Sequence, residues 1–143
     1  MNKSRINKLI PLVNKVLNET KDTKEGLVQG GKIDSSYDGQ VAGFGVSIAI
    51  SKLRPTLAMY YNSSQNRAVD TTKILAVIAK TISKDGTYCQ NLESAKSLMD
   101  HAFKSDVDIK KLTEVVIECA VALKLVVRTY PQTKNDWCNE KFT

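Results

Sequence analysis

One histidine, one tryptophan, three prolines and three cysteines in 143 residues are few, and each scarcity closes off a class of protein. With His101 the sole imidazole, no Ser/His/Asp, Cys/His or HExxH arrangement can be assembled with identifiable partners. Cys89, Cys119 and Cys138 are odd in number and lack CxxC spacing, which argues against a disulfide framework and against a zinc site. Cys119 falls inside an apolar helical pattern and reads as a small core residue. The longest apolar region, residues 115–127, contains Glu118 and Lys124 and is too short to span a bilayer. No apolar h-region of the signal-peptide kind stands near the start. The Gly43-Phe44-Gly45 stretch lacks the third glycine and the preceding strand of a dinucleotide fingerprint. Asp106-Val107-Asp108 is the nearest approach to a metal pair, but acidic residues at a helix start are explained by the macrodipole. These absences predict a non-catalytic protein of a reducing, cytoplasmic compartment, with no metal and no cofactor.

What is present is ordinary globular material. Hydrophobic residues make up 42% and charged residues 25%, enough for one domain with a single core. Net charge is +6, from 21 basic and 15 acidic residues, a balance compatible with an acidic partner without demanding one.

The hydrophobic spacing is helical almost throughout. Ile6, Leu9, Ile10, Val13, Val16 and Leu17 share one face, with Arg5, Lys8 and Lys15 opposite and Pro11 predicting a kink or a late start. Residues 20–36 are polar, contain Gly26, Gly30 and Gly31, and read as a long loop. From Val41 to Leu53 the apolar arc is wide, which predicts a central, buried helix. The strip left over is Gly43, Ser47 and Ser51, small residues that let another helix approach closely. Lys52-Leu53-Arg54-Pro55 then reads as a basic corner between two helices, with proline in the first turn of the second. A polar connector at residues 63–67 leads to a helix capped by Asp70, carrying Ile74, Leu75, Ile78 and Ile82 and stopped at Gly86. Leu92, Ala95, Leu98, Met99, Ala102 and Phe103 mark another helix, and Ser105-x-x-Asp108 is a weak relative of the capping box. The last pattern, Ile109, Leu112, Val116, Cys119, Leu123, Val126 and Tyr130, ends at Pro131; Ile117, Val121 and Leu125 line a second face, buried or meeting a partner. The prediction is an all-α protein, one compact bundle of five or six helices over residues 1–131. Residues 132–143 read as a C-terminal tail, free or docked through Trp137 and Phe142.

The basic residues are the candidate functional groups. Lys73, Lys80 and Lys84 fall on one helical line about 16 Å long. Such a line is a solvated face, or a stripe that neutralises successive phosphates without reading bases. Lys110, Lys124 and Arg128 share one broad side of the last helix and invite the same two readings, and Lys52 and Arg54 add charge at the corner.

The stretch YDGQVAGFGVSIAISKLRPTLAMYYN, residues 37–62, resembles the signature region of the small helical subunit of the Cmr-type, type III-B, CRISPR effector complex. In that family a tyrosine precedes a Ser/Gly-Phe pair, an apolar helix, a short corner and a second helix opening like PTLAFY. The segment RINKLIPLVNKVL, the lysine-bearing helix from Asp70 to Gly86 and a long last helix carrying Lys124 and Arg128 are similar to that family as well. The resemblance implies a non-catalytic subunit, stacked in copies beside other effector subunits along a particle that holds guide RNA and captures target RNA. Base pairing would then read sequence, and the protein would read backbone and shape. The alternative is a helical adaptor or scaffold whose lysines only solubilise it.

Overall fold

The computed structural model describes residues 2–62 and 70–133. The connector at residues 63–67, and the tail beyond Thr133 with Trp137, Cys138 and Phe142, lie outside the described residues. Six helices enclose the core: α1 (Lys3–Glu19), α2 (Ser36–Ser51), α3 (Leu53–Tyr61), α4 (Thr72–Asp85), α5 (Ala95–Ala102) and α6 (Ile109–Val127). The fold is thus all-α in character, with a small three-stranded sheet at one edge: β1 (Val28–Gln29), β2 (Lys32–Asp34) and β3 (Gln132–Thr133).

Each helix begins and ends for local reasons. Asn2 caps α1 by accepting the Arg5 amide at 3.2 Å, so the helix starts well before Pro11, which sits on its exposed side. Gly86 closes α4 in the left-handed conformation at φ 72°, which glycine adopts without a side-chain penalty. The reciprocal capping box belongs to α5, where Ser94 and Ser97 exchange bonds, while Asp108 caps α6 by accepting the Lys111 amide at 3.1 Å. Helix α6 stops at Val127, one turn short of the apolar pattern's last member, Tyr130.

The buried helix is α4, not α2. Ile74, Leu75, Ala76, Val77, Ile78, Ala79, Thr81 and Ile82 are all buried, because α1, α3, α5 and α6 pack around α4. Helix α2 buries Tyr37, Val41, Phe44 and Ile48 against α3 and α6 but leaves Val46 58% and Ile50 76% exposed. The small strip of α2 does meet a helix. An added Cβ at Gly43 would lie 3.3 Å from Tyr60 Oη of α3, and Ser47 Oγ is 2.9 Å from Thr56 Oγ1. Ser51, the last of the three, is exposed. Phe44 is fully buried and meets the Tyr60 ring edge-on, with centroids 5.0 Å apart.

The stretch expected to be a loop is folded. Gly30 and Gly31, at φ 61° and 76°, make the two-residue turn that joins β1 to β2 antiparallel, with Val28 opposite Ile33. Leu27, Val28 and Ile33 enter the core. Gly26 passes so close to Thr20 that an added Cβ would collide with the backbone carbonyl. Beyond α6 the chain returns to this hairpin: β3 pairs parallel with β2, and the Ile33 amide donates to the Pro131 carbonyl at 3.0 Å. The first two residues assigned to the tail therefore belong to the fold.

Arg5, on the side of α1 expected to face solvent, instead ties three helices together. Its guanidinium grips the Asp85 carboxylate at 2.9 and 3.2 Å, and Nε stands 3.6 Å from Glu118. Asp85 is 7% exposed, and the Arg5 hydrogen bonds hold its pKa below the usual carboxylate value.

Candidate functional site

The eight basic candidates fall into three places. The first is the corner between α2 and α3. Lys52 is both the end of one helix and the start of the next, at φ 75° and ψ 173°. That region of backbone space is essentially reserved for glycine. Three bonds hold it there. The Lys52 amide donates to Ile48 O at 2.9 Å, and its carbonyl accepts both the Thr56 hydroxyl at 2.8 Å and the Thr56 amide at 3.4 Å. Thr56 is fully buried and spends its one hydroxyl proton on that carbonyl, so Ser47 must be the donor in the Ser47–Thr56 bond. The sharp reversal carries the Lys52 side chain to the surface and drops Leu53 into the core.

Next to it, Arg54 turns inward. Its Nε donates to the Ala102 carbonyl at 2.7 Å and Nη2 to the Lys104 carbonyl at 3.0 Å. It thus satisfies carbonyls at the end of α5, where a cation meets the negative end of the helix dipole. Two of its five N–H donors have a structural task. Lys110, in the first turn of α6, comes from a different helix. Lys52, Arg54 and Lys110 line one groove of about 630 Å³ together with Leu53, Pro55, Ile109 and Glu114.

The second place is α4. Lys73, Lys80 and Lys84 do not share one surface. Lys80 Nζ is 3.2 Å from Glu25 and Lys84 Nζ is 2.8 Å from Glu19, and all four residues line a groove of about 710 Å³. Lys73 lies in a separate depression of about 330 Å³ with Tyr37, Asp70 and Asp34. There the Tyr37 hydroxyl donates to the Asp70 carbonyl at 3.1 Å, and burial pushes its pKa up to about 12. The hydrogen bond from Lys84 draws the Glu19 carboxyl below its ordinary value.

The third place is the far end of α6. Lys124 is half-buried, and Arg128 Nε is 3.0 Å from Asp38 Oδ1 of α2. Lys110 lies some 21 Å away along the same helix, so it belongs with the corner and not with these two.

The Tyr88 hydroxyl and His101 Nε2 are 2.9 Å apart, and burial lowers the histidine's pKa. Burial likewise pushes the Cys119 thiol up to about 12, in keeping with a core residue. Among the described residues no group of three or more His, Cys, Asp or Glu side chains could hold a metal ion, and no helix is long and apolar enough to cross a membrane.

Sequence reasoning missed Glu19, Glu25 and Asp38, which engage three of the eight cations. They stand outside any i, i+4 spacing with those cations, so only the folded chain pairs them. The Ser47–Thr56 bond was partly visible as a small polar residue in the strip facing α3. No protein-family model matches this chain, and neither a curated protein nor a solved structure matches it significantly.

Proposed function

We propose that the protein is a non-catalytic small subunit of a type III-B, Cmr-type RNA-guided effector complex, and that its basic corner contacts the RNA backbone. The observation that carries this reading is the convergence of Lys52 and Lys110, distant in sequence, on the lining of one groove with Arg54. Lys52 and Arg54 also lie in the stretch, residues 37–62, that most specifically resembles that family. Lysines reach phosphate oxygens as point charges and do not discriminate bases, which suits a particle whose specificity resides in base pairing. In such a particle the partners are other effector subunits, further copies of this chain, guide RNA and target RNA, and the compartment is the cytoplasm.

The test is fluorescence anisotropy of a labelled single-stranded RNA, titrated with the full chain and with Lys52→Gln/Lys110→Gln at several salt concentrations. The variant should bind more weakly on every sequence, and the slope of log affinity against log salt should fall by about 0.7 per lost phosphate contact. Arg54 is left intact because its bonds to α5 serve the fold. Unchanged affinity and slope would remove the corner from the RNA path.

A helical adaptor without a nucleic-acid role is the second reading. It is favoured by the carboxylate partners of Lys80, Lys84 and Arg128, which serve the protein's own surface. Co-purification separates the two: an adaptor does not bring effector subunits and guide RNA with it.

A further inference from the structure

The corner makes no use of the charged cluster where α4 passes the segment that follows α1. Lys80 and Lys84 are one helical turn apart, about 6 Å along the axis, with Ser83 between them. Each ammonium is held by one carboxylate, Lys80 by Glu25 and Lys84 by Glu19, at distances a lysine would keep from a phosphate oxygen. Glu93 lines the same groove, whose carboxylates occupy the lysines that a phosphate would otherwise meet. Both glutamates are about half exposed, at 47% and 49%, and their lysines are at 29% and 30%. Pairs this exposed are weak and screened by salt, and a multivalent anion can displace them.

We propose that Glu19 and Glu25 act as a carboxylate shield over a second RNA-phosphate site formed by Lys80 and Lys84, which phosphates reach only by displacing both glutamates. The proposal rests on the RNA reading given above. It makes RNA occupancy of α4 conditional on displacement of the Glu19 and Glu25 side chains. Glu19 ends α1, and Glu25 immediately precedes Gly26, which is packed against the Thr20 carbonyl. Displacement therefore needs only side-chain rotation or a shift of the short turn, while α4 stays in place.

The experiment uses the full chain and the same labelled single-stranded RNA. Glu19→Gln/Glu25→Gln should tighten binding by roughly two- to tenfold at low salt, the range expected when two exposed competing ion pairs are removed. The control is Asp100→Asn/Asp106→Asn, which changes net charge equally at two exposed carboxylates outside the groove. It should tighten binding much less. Adding Lys80→Gln/Lys84→Gln to the glutamate variant should abolish the gain, and melting curves should confirm that each variant stays folded. If the glutamate variant only matches the control while Lys52→Gln/Lys110→Gln still weakens binding, the shield is refuted and the corner reading stands. If neither pair of lysines affects binding, or no variant binds RNA at low salt, both readings fall.

Discussion

Replacing Lys52 by glycine should make the protein more stable. Its backbone occupies a region that penalises a Cβ, and a non-glycine residue held there costs about 1–3 kcal/mol. Glycine removes that penalty but adds unfolded-state freedom worth about 0.4–1 kcal/mol. Little packing is lost, because the Lys52 side chain is exposed, and the bonds through its amide and carbonyl to Ile48 and Thr56 remain available. The net expectation is a gain of roughly 0.5–2 kcal/mol. Urea denaturation followed by the helical circular dichroism signal reads it directly. With a slope of about 1–3 kcal/mol/M, the midpoint should rise by a few tenths of a molar to about 1 M, with the slope itself unchanged. Lys52→Ala is the control: it keeps the Cβ and the strain while removing the charge, so its midpoint should stay close to wild type. A glycine variant no more stable than the alanine variant would refute the reasoning, because it would mean that Lys52 does not sit at positive φ. If the corner binds RNA as proposed, the glycine variant should also lose affinity, since the strained residue places a functional side chain.

Two further outcomes follow from the packing. Gly43→Leu should lower stability by about 1–3 kcal/mol, because the side chain must displace Tyr60, whose hydroxyl donates to the Gln40 carbonyl at 3.0 Å. Gly43→Ala should be much milder, its helix-propensity gain offsetting the 3.3 Å approach, so an unchanged urea midpoint for the leucine variant would mean that α3 does not lie on that strip. Asp85→Asn should cost about 1–3 kcal/mol at neutral pH by breaking the bidentate grip of Arg5. The pH dependence has a definite sign: the folded pKa of Asp85 lies below its unfolded value, so its contribution is full above that value and is lost as pH falls through the folded one. The difference in melting temperature between wild type and Asp85→Asn should therefore shrink below about pH 4. A constant difference would contradict the ion pair.

The helices were legible because their apolar residues recur with the helical period, and Gly86 marked the end of α4, whereas α6 ends at Val127, before Pro131. The hairpin was legible in principle. Gly30-Gly31 between Val28 and Ile33 is a two-residue turn signal, outweighed by the polarity of its surroundings. The burial of α2 was not legible. A wide apolar arc records which residues tolerate burial, whereas Val46 and Ile50 are exposed because none of the described helices packs over them. The site was visible as residue types but not as an arrangement. That Lys110 joins Lys52, that Arg54 spends two donors on α5, and that carboxylates cover Lys80 and Lys84 are consequences of tertiary folding with no local signature.

The parallel pairing of β2 with β3 bears on the order in which the chain can assemble. Antiparallel β1 and β2 are joined by two residues and can associate as soon as both have been synthesised. The bonds from Ile33 to Pro131 and from Ser35 to Thr133 close a loop that contains helices α2 to α6. Loop-closure entropy disfavours so long a contact until the intervening helices have packed and brought its ends together. On a ribosome, the edge of Ile33 thus waits unpaired while nearly all of the described chain emerges. The sheet is completed last, as a clasp on a bundle that has already formed.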